Sequence, residues 1–146
     1  MESWRWPALR GKWSGTRATG FQVQAMAAAG VEMLVGVVQD QHFGPMLACG
    51  AGGTTTELLK DVAVRITPIT RGEADRMIRS LKTFPQLDGY RGAPRADVDA
   101  LEDILLRVSA LVEAHPEVAE MDLNPVIVSR LVQWWWTLAS GWTSGP

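Results

Sequence analysis

The chain has one cysteine in 146 residues, Cys49, so no disulfide can form within it. No apolar run reaches the about 18 residues that a spanning helix needs. The amino terminus also lacks the charged-then-apolar layout of a secretory signal, and the cytoplasm is the expected location. A formal charge of -2 gives no field that would draw in nucleic acid or an anionic membrane, so neither is expected as a partner. Tryptophan is missing from the whole middle of the chain, although there are seven: Trp4, Trp6 and Trp13 lie near the start, and Trp134, Trp135, Trp136 and Trp142 near the end. The last eighteen residues contain no Asp or Glu. Internal repeats and low-complexity tracts are absent, which excludes solenoid and fibrous architectures.

What is present is a soluble globular composition, 47% hydrophobic and 21% charged, in a length that suits one core. Composition divides the chain into three zones: an atypical segment over 1–20, an alternation of strand and helix signals over 21–128, and a Trp-rich tail over 129–146. In the middle zone, Phe21 to Met26 alternates like a half-buried strand, and Val31 to Val38 follows as a second. Asp40-Gln41-His42-Phe43-Gly44-Pro45 reads as a turn into a third strand, Met46 to Cys49. Gly50-Ala51-Gly52-Gly53 then leads to a short helix that Thr54 to Thr56 can cap and whose first turn suits Glu57. Val64 to Ile69 reads as a strand that Pro68 confines to an edge or an end.

Thr70 with Glu73 three residues on is a capping box, and Ala74, Met77, Ile78 and Leu81 keep helical spacing behind it, predicting a helix that ends before Pro85. After a loop over Gly89 to Pro94, a stripe through Val98, Leu101, Leu105, Val108 and Val112 predicts a second helix, which Pro116 ends. Met121 to Val128 closes the zone as a strand. The expected class is α/β or α+β, a mixed sheet covered by helices.

Two motifs suggest chemistry. A glycine-rich turn before a helix is a weak phosphate-cradle signal, since many tight turns need glycine, and neither a Walker loop nor a dinucleotide fingerprint is in register. Asp122-Leu123-Asn124 puts two oxygen-bearing side chains on one face of a strand, as a hard cation such as Mg²⁺ prefers; a strand end with Asn before Pro in a turn is an equal reading of the spacing alone.

Order and company make the motifs more specific. Gly30 to Val38, Asp40 to Pro45, Gly50 to Val62, Leu87 to Gly92 and Glu120 to Val128 together resemble the ATP-grasp domain of acid–CoA ligases of the nucleoside-diphosphate-forming kind, over about Phe21 to Val128. The region is more distantly similar to the β subunit of succinyl-CoA synthetase. The resemblance implies phosphoryl transfer between ATP or ADP, held with Mg²⁺, and a phosphohistidine carried by a CoA-binding domain or subunit. It implies Asn124 as a metal ligand and Asp122 as the catalytic residue that meets the phosphohistidine. Gly52, Gly53 and Glu57 match the floor near the nucleotide, and Glu32 matches the family's acid at the start of its strand. Some fused relatives pair this module with an acetyltransferase domain. A non-catalytic module docking on such a partner is therefore the alternative function, and exposed apolar area would favour it. A third possibility is a chain with no stable fold of its own.

Departures from the pattern bear on activity. The family's nucleotide-binding front half is expected before Phe21, and a Val-Val-Asp-Ala-Arg-like strand with a second metal carboxylate after Val128; neither is found there. The tail offers a reason. Trp134-Trp135-Trp136-Thr137 must be encoded TGG TGG TGG ACN, and reading from each third base gives GTG GTG GAC, which is Val-Val-Asp. A single frameshift near Ser129 would produce such a tail, and the chain is then expected to lack a complete active site and turnover by itself. The remaining candidates have plainer readings. His42 suits a solvated turn, His115 a helix end, Cys49 and Met33 a packed strand, and Arg91 and Arg95 a solvated loop.

Overall fold

The computed structural model describes residues 29–53, 61–130 and, as backbone, 138–142. The second predicted strand is the first element among the described residues, β1 (Val31–Asp40), and it turns back as β2 (Gly44–Ala51). The Asp40 carboxylate makes the turn by accepting from the N–H of His42 at 2.8 Å and of Phe43 at 3.0 Å. Then come β3 (Val62–Ile66), helices α1 (Arg71–Arg79), α2 (Phe84–Leu87) and α3 (Val98–Ala114), β4 (Val118–Val128) and β5 (Leu138–Trp142). The sheet order is β3-β2-β1-β4-β5, and every pairing is antiparallel.

Alternation along the strands creates two unlike faces. On one, Met33, Val35 and Leu47 are fully buried with Cys49 beneath α1 and α3, which bring down Met77, Ile78, Leu101 and Leu105. Each such side chain contributes about 1.5–3 kcal/mol by leaving water. Burial pushes the Cys49 thiol up to about 12, helped by the nearby charge of Asp61, so this cysteine packs and does not react. Polar pins hold the helices on that face: Ile69 N–H donates to Ser109 Oγ at 3.1 Å, Thr67 Oγ1 to Glu113 Oε1 at 2.6 Å, and Arg71 pairs with Glu102 and Asp103. The other face carries no helix among the described residues.

The expected class holds, in its α+β form, and the capping box forms as read, with both Thr70 and Glu73 reciprocating. Several boundaries differ. β3 runs over Val62–Ile66 instead of Val64 to Ile69, with Pro68 beyond its end. The first helix stops at Arg79, and Pro85 lies inside the first turn of α2, where its missing N–H is harmless. The tail supplies β5, which its composition gave no reason to expect. The predicted strand at 21–26, the helix after Gly53 and Trp134 to Trp136 lie outside the described residues.

Candidate functional site

Strand register sets what stands on the open face. Residues paired across antiparallel strands share a face, so each row can be read across the sheet. One row is Asp122 on β4, Gly36 on β1, Ala48 on β2 and Val64 on β3. The row on one side of it is Glu120, Val38, Met46 and Ile66. On the other side lie Leu34, Gly50 and Val62. The face is therefore a trough. Its lowest points are Gly36 and Ala48, flanked on the same two strands by Leu34, Val38 and Met46, while Gly50 is buried. One side, on β4 with β5 beyond it, is acidic and polar; the opposite edge, on β3, is branched and apolar, with Val62, Val64 and Ile66 at 43%, 45% and 52% exposure.

Asn124 shares this face with Asp122 by ordinary alternation, and an irregularity that the sequence does not announce begins beside it. Met33 pairs with Val126 and Val35 with Leu123, so Asn124 and Pro125 together oppose Leu34, two residues against one, as in a β-bulge. Leu123 and Val126 both face the core, which leaves the two bulged residues on the open side with Asp122. The structure thus brings Asp122 and Asn124 to the same face, as the spacing suggested.

Glu32 stands at the end of the trough, and the glycine turn closes on it. Gly52 N–H donates to Glu32 O at 2.9 Å, and a Cβ on Gly52 would lie 2.8 Å from the Met33 carbonyl carbon, so only glycine can approach β1 this closely. Gly53 has φ +67, and a Cβ there would overlap the Glu32 carboxylate. Glu32, Gly52 and Gly53 are therefore one local unit. Glu57 lies outside the described residues.

Sequence reasoning missed Asp61. Its side chain is 6% exposed and accepts from Lys82 N–H at 2.9 Å, Thr83 N–H at 2.8 Å and Thr83 Oγ1 at 2.8 Å. Burial pushes its carboxyl upward, but these donors and the Lys82 charge outweigh it and hold the group below its ordinary 3.8. The partners are more than twenty residues away in sequence, so no local pattern reveals them. The low part of the open face was legible in principle: Gly36 and Ala48 are small residues of otherwise bulky strands.

The donor chemistry fits a hard divalent cation in part. Mg²⁺ takes one or two carboxylates or carbonyl oxygens and leaves its other positions to water and phosphate oxygens, and Asp122 with Asn124 is such a partial set. Among the described residues, no group of three or more His, Cys, Asp or Glu is placed to hold a metal. No helix there is long and apolar enough to cross a membrane.

Known proteins resemble this chain over most of its length. The model of the ATP-grasp domain matches residues 8–134, beginning before Phe21 and ending past Val128. The acetate–CoA ligase (ADP-forming) I of Archaeoglobus fulgidus is 51% identical over 120 residues, covering 82% of this chain and 18% of its own length. The β subunit of acetate–CoA ligase (ADP-forming) II of Pyrococcus furiosus is 45% identical over 112 residues, 76% of this chain and 48% of the subunit. A solved acetyl-coenzyme A synthetase 1 of Ca. Korarchaeum cryptofilum, in complex with coenzyme A and Mg-AMPPCP and with its phosphohistidine segment pointing towards the nucleotide-binding site, superposes with a TM-score of 0.69. It is 40% identical, over 70% of this chain and 48% of that one. The chain thus spans about half the length of the separate subunit and under a fifth of the single-chain ligase. It belongs to the ATP-grasp domain family, and its relatives include ADP-forming acetate–CoA ligases.

Proposed function

We propose that the open face of this chain is one wall of an ATP- or ADP–Mg²⁺ site in an acid–CoA ligase that forms a nucleoside diphosphate, where phosphoryl passes between the nucleotide and a phosphohistidine on a CoA-binding partner. The observation that carries the reading is the polarity of the trough. Gly36 and Ala48 leave room for a flat ligand, the β3 edge suits an apolar ring, and β4 offers oxygen donors. A polyphosphate brought directly against Asp122 and Glu120 would be repelled, so this side suits phosphate only through a cation, which would draw charge off the transferring group.

In this reading Asn124 holds the cation without adding charge, and Asp122, one pleat along the same face, meets the incoming phosphohistidine. Glu32 and the Gly52–Gly53 turn fix the end of the wall, with Glu57 supplied from the following segment. Turnover by this chain alone is not expected, because the second metal carboxylate of the resemblance has no counterpart after Val128. The frameshift near Ser129 remains our explanation for that. Sequencing the gene locus tests it: codons for Arg130 to Thr143 that cannot be read in the shifted frame as Pro-Gly-Ala-Val-Val-Val-Asp-Ala-Arg-Val-Arg-Val-Asp would rule it out.

Thermal unfolding of the full chain with and without Mg²⁺-ADP tests the nucleotide reading, because a ligand that binds only the folded state must raise its stability, by about 2.7 kcal/mol at a hundredfold excess over the dissociation constant. An upward shift that Asn124→Ala abolishes supports it; no shift in the unsubstituted chain would sink it. The docking alternative has one observation in its favour, the exposed Val38, Phe43, Val64 and Ile66. It predicts that a CoA-binding partner protects these residues, whether or not nucleotide is present.

A further inference from the structure

The main chain leaves the sheet after Ala51 and re-enters it at Val62, and the two ends of that excursion are tied together: Ala51 N–H donates to Asp61 O at 3.1 Å. The glycine turn is built around this junction. A Cβ on Gly50 would lie 2.7 Å from Asp61 O and 2.8 Å from Val62 Cγ2, so only glycine fits at this position, with Asp61 and Val62 packed directly against it.

What holds Asp61 still belongs to a different layer. Its carboxylate is bonded to the turn between α1 and α2, by Lys82 N–H, Thr83 N–H and Thr83 Oγ1. Asp61 is 6% exposed and Thr83 7%. An ionised carboxylate this far from water persists only when hydrogen-bonded, and removing one partner strands the others. The helix layer on the core face thereby fixes a point on the edge of the open face.

We propose that Asp61 is a positioning residue for the glycine turn: by bonding the α1–α2 turn it fixes where the chain re-enters the sheet, and so sets the height of Gly50 to Gly53 over the trough. Its use in phosphate binding rests on the nucleotide reading above; its geometry does not.

Hydrogen exchange on the full chain separates positioning from general stability. Asp61→Asn replaces an acceptor oxygen with a donor facing the same N–H groups, and exchange at the Ala51 and Gly52 amides is expected to rise about tenfold beyond any change at Met33 and Val35 in the neighbouring strand. Thr83→Val, which removes one donor and leaves two, serves if Asp61→Asn does not fold; it is expected to give about a threefold local rise, and Thr83→Ser none. A parallel calorimetric titration with Mg²⁺-ADP is expected to give a roughly tenfold weaker dissociation constant for Asp61→Asn, with exchange at Met33 and Val35 unchanged. An equal rise at all four amides, or no rise at Ala51 and Gly52, overturns the proposal. If the unsubstituted chain binds no Mg²⁺-ADP, the nucleotide reading fails, and the exchange contrast still decides the positioning role.

Discussion

Two individual residues of the candidate site carry strain or charge that can be measured. Gly53 combines a positive φ with a carboxylate where a Cβ would go. Gly53→Ala is therefore expected to cost about 1–2 kcal/mol from backbone conformation alone. Because the Glu32 side chain is exposed and its end can swing away, Gly53→Ala combined with Glu32→Ala should recover only the overlap and not the conformational part. Denaturant unfolding of the two variants against Glu32→Ala checks this, and full recovery would show that the backbone is unstrained there. Asp61 supplies a pH dependence whose sign is fixed. Its carboxyl titrates below its ordinary 3.8 in the folded chain, so its contribution to stability is fully present above that value and is lost as pH falls through the lower folded value. Unfolding midpoints measured from pH 5 downwards are expected to fall less steeply in Asp61→Asn than in the unsubstituted chain.

Helices and strands differ in how much of themselves they declare in sequence. α1 was legible because Thr70 and Glu73 state its start chemically and Ala74, Met77 and Ile78 state its face. Thr70 N–H donates to Glu73 Oε2 at 2.7 Å, and Glu73 N–H to Thr70 Oγ1 at 3.3 Å. The Thr70 N–H and the Thr70 hydroxyl, both donating to Glu73 Oε2, hold the Glu73 carboxyl below its usual range. Thr70→Ala is expected to cost about 1 kcal/mol, read by thermal unfolding, and Thr70→Ser little of it. β1 and β2 were legible through their apolar runs, whereas β3 was displaced because Ile69 and Pro68 look like strand in composition while the ladder ends at Ile66. β4 was found by its Met121 to Val128 pattern, but its bulge was not, since a two-against-one pairing depends on the partner strand. β5 was invisible: Leu138 to Trp142 has neither alternation nor the acidic residues of the expected strand, yet it pairs along β4 with Ala139 opposite Asp122. The candidate site follows the same division. Asp122 and Asn124 were readable as a motif, while Asp61 was not, because its donors come from a turn that only the fold brings near.

At the scale of the whole molecule, the sheet has one face filled by helices and one left shallow, and this asymmetry separates stability from binding. Side chains under α1 and α3 hold the chain together, so truncating Leu105, which is fully buried, should cost about 2–5 kcal/mol and abolish any ligand effect with the fold. Residues on the trough floor contribute little to that core. Ala48 stands between Gly36 and Val64 on the open side, where an added side chain would project into the trough and away from the packed layer. Ala48→Leu is accordingly expected to leave unliganded stability within about 0.5 kcal/mol. It should nevertheless remove the stabilisation by Mg²⁺-ADP, because the flat ligand and the new side chain compete for the same volume. The comparison is made by unfolding both variants with and without Mg²⁺-ADP. If Ala48→Leu keeps its ligand shift, the nucleotide does not lie on this face, and the polarity of the trough must serve some other occupant.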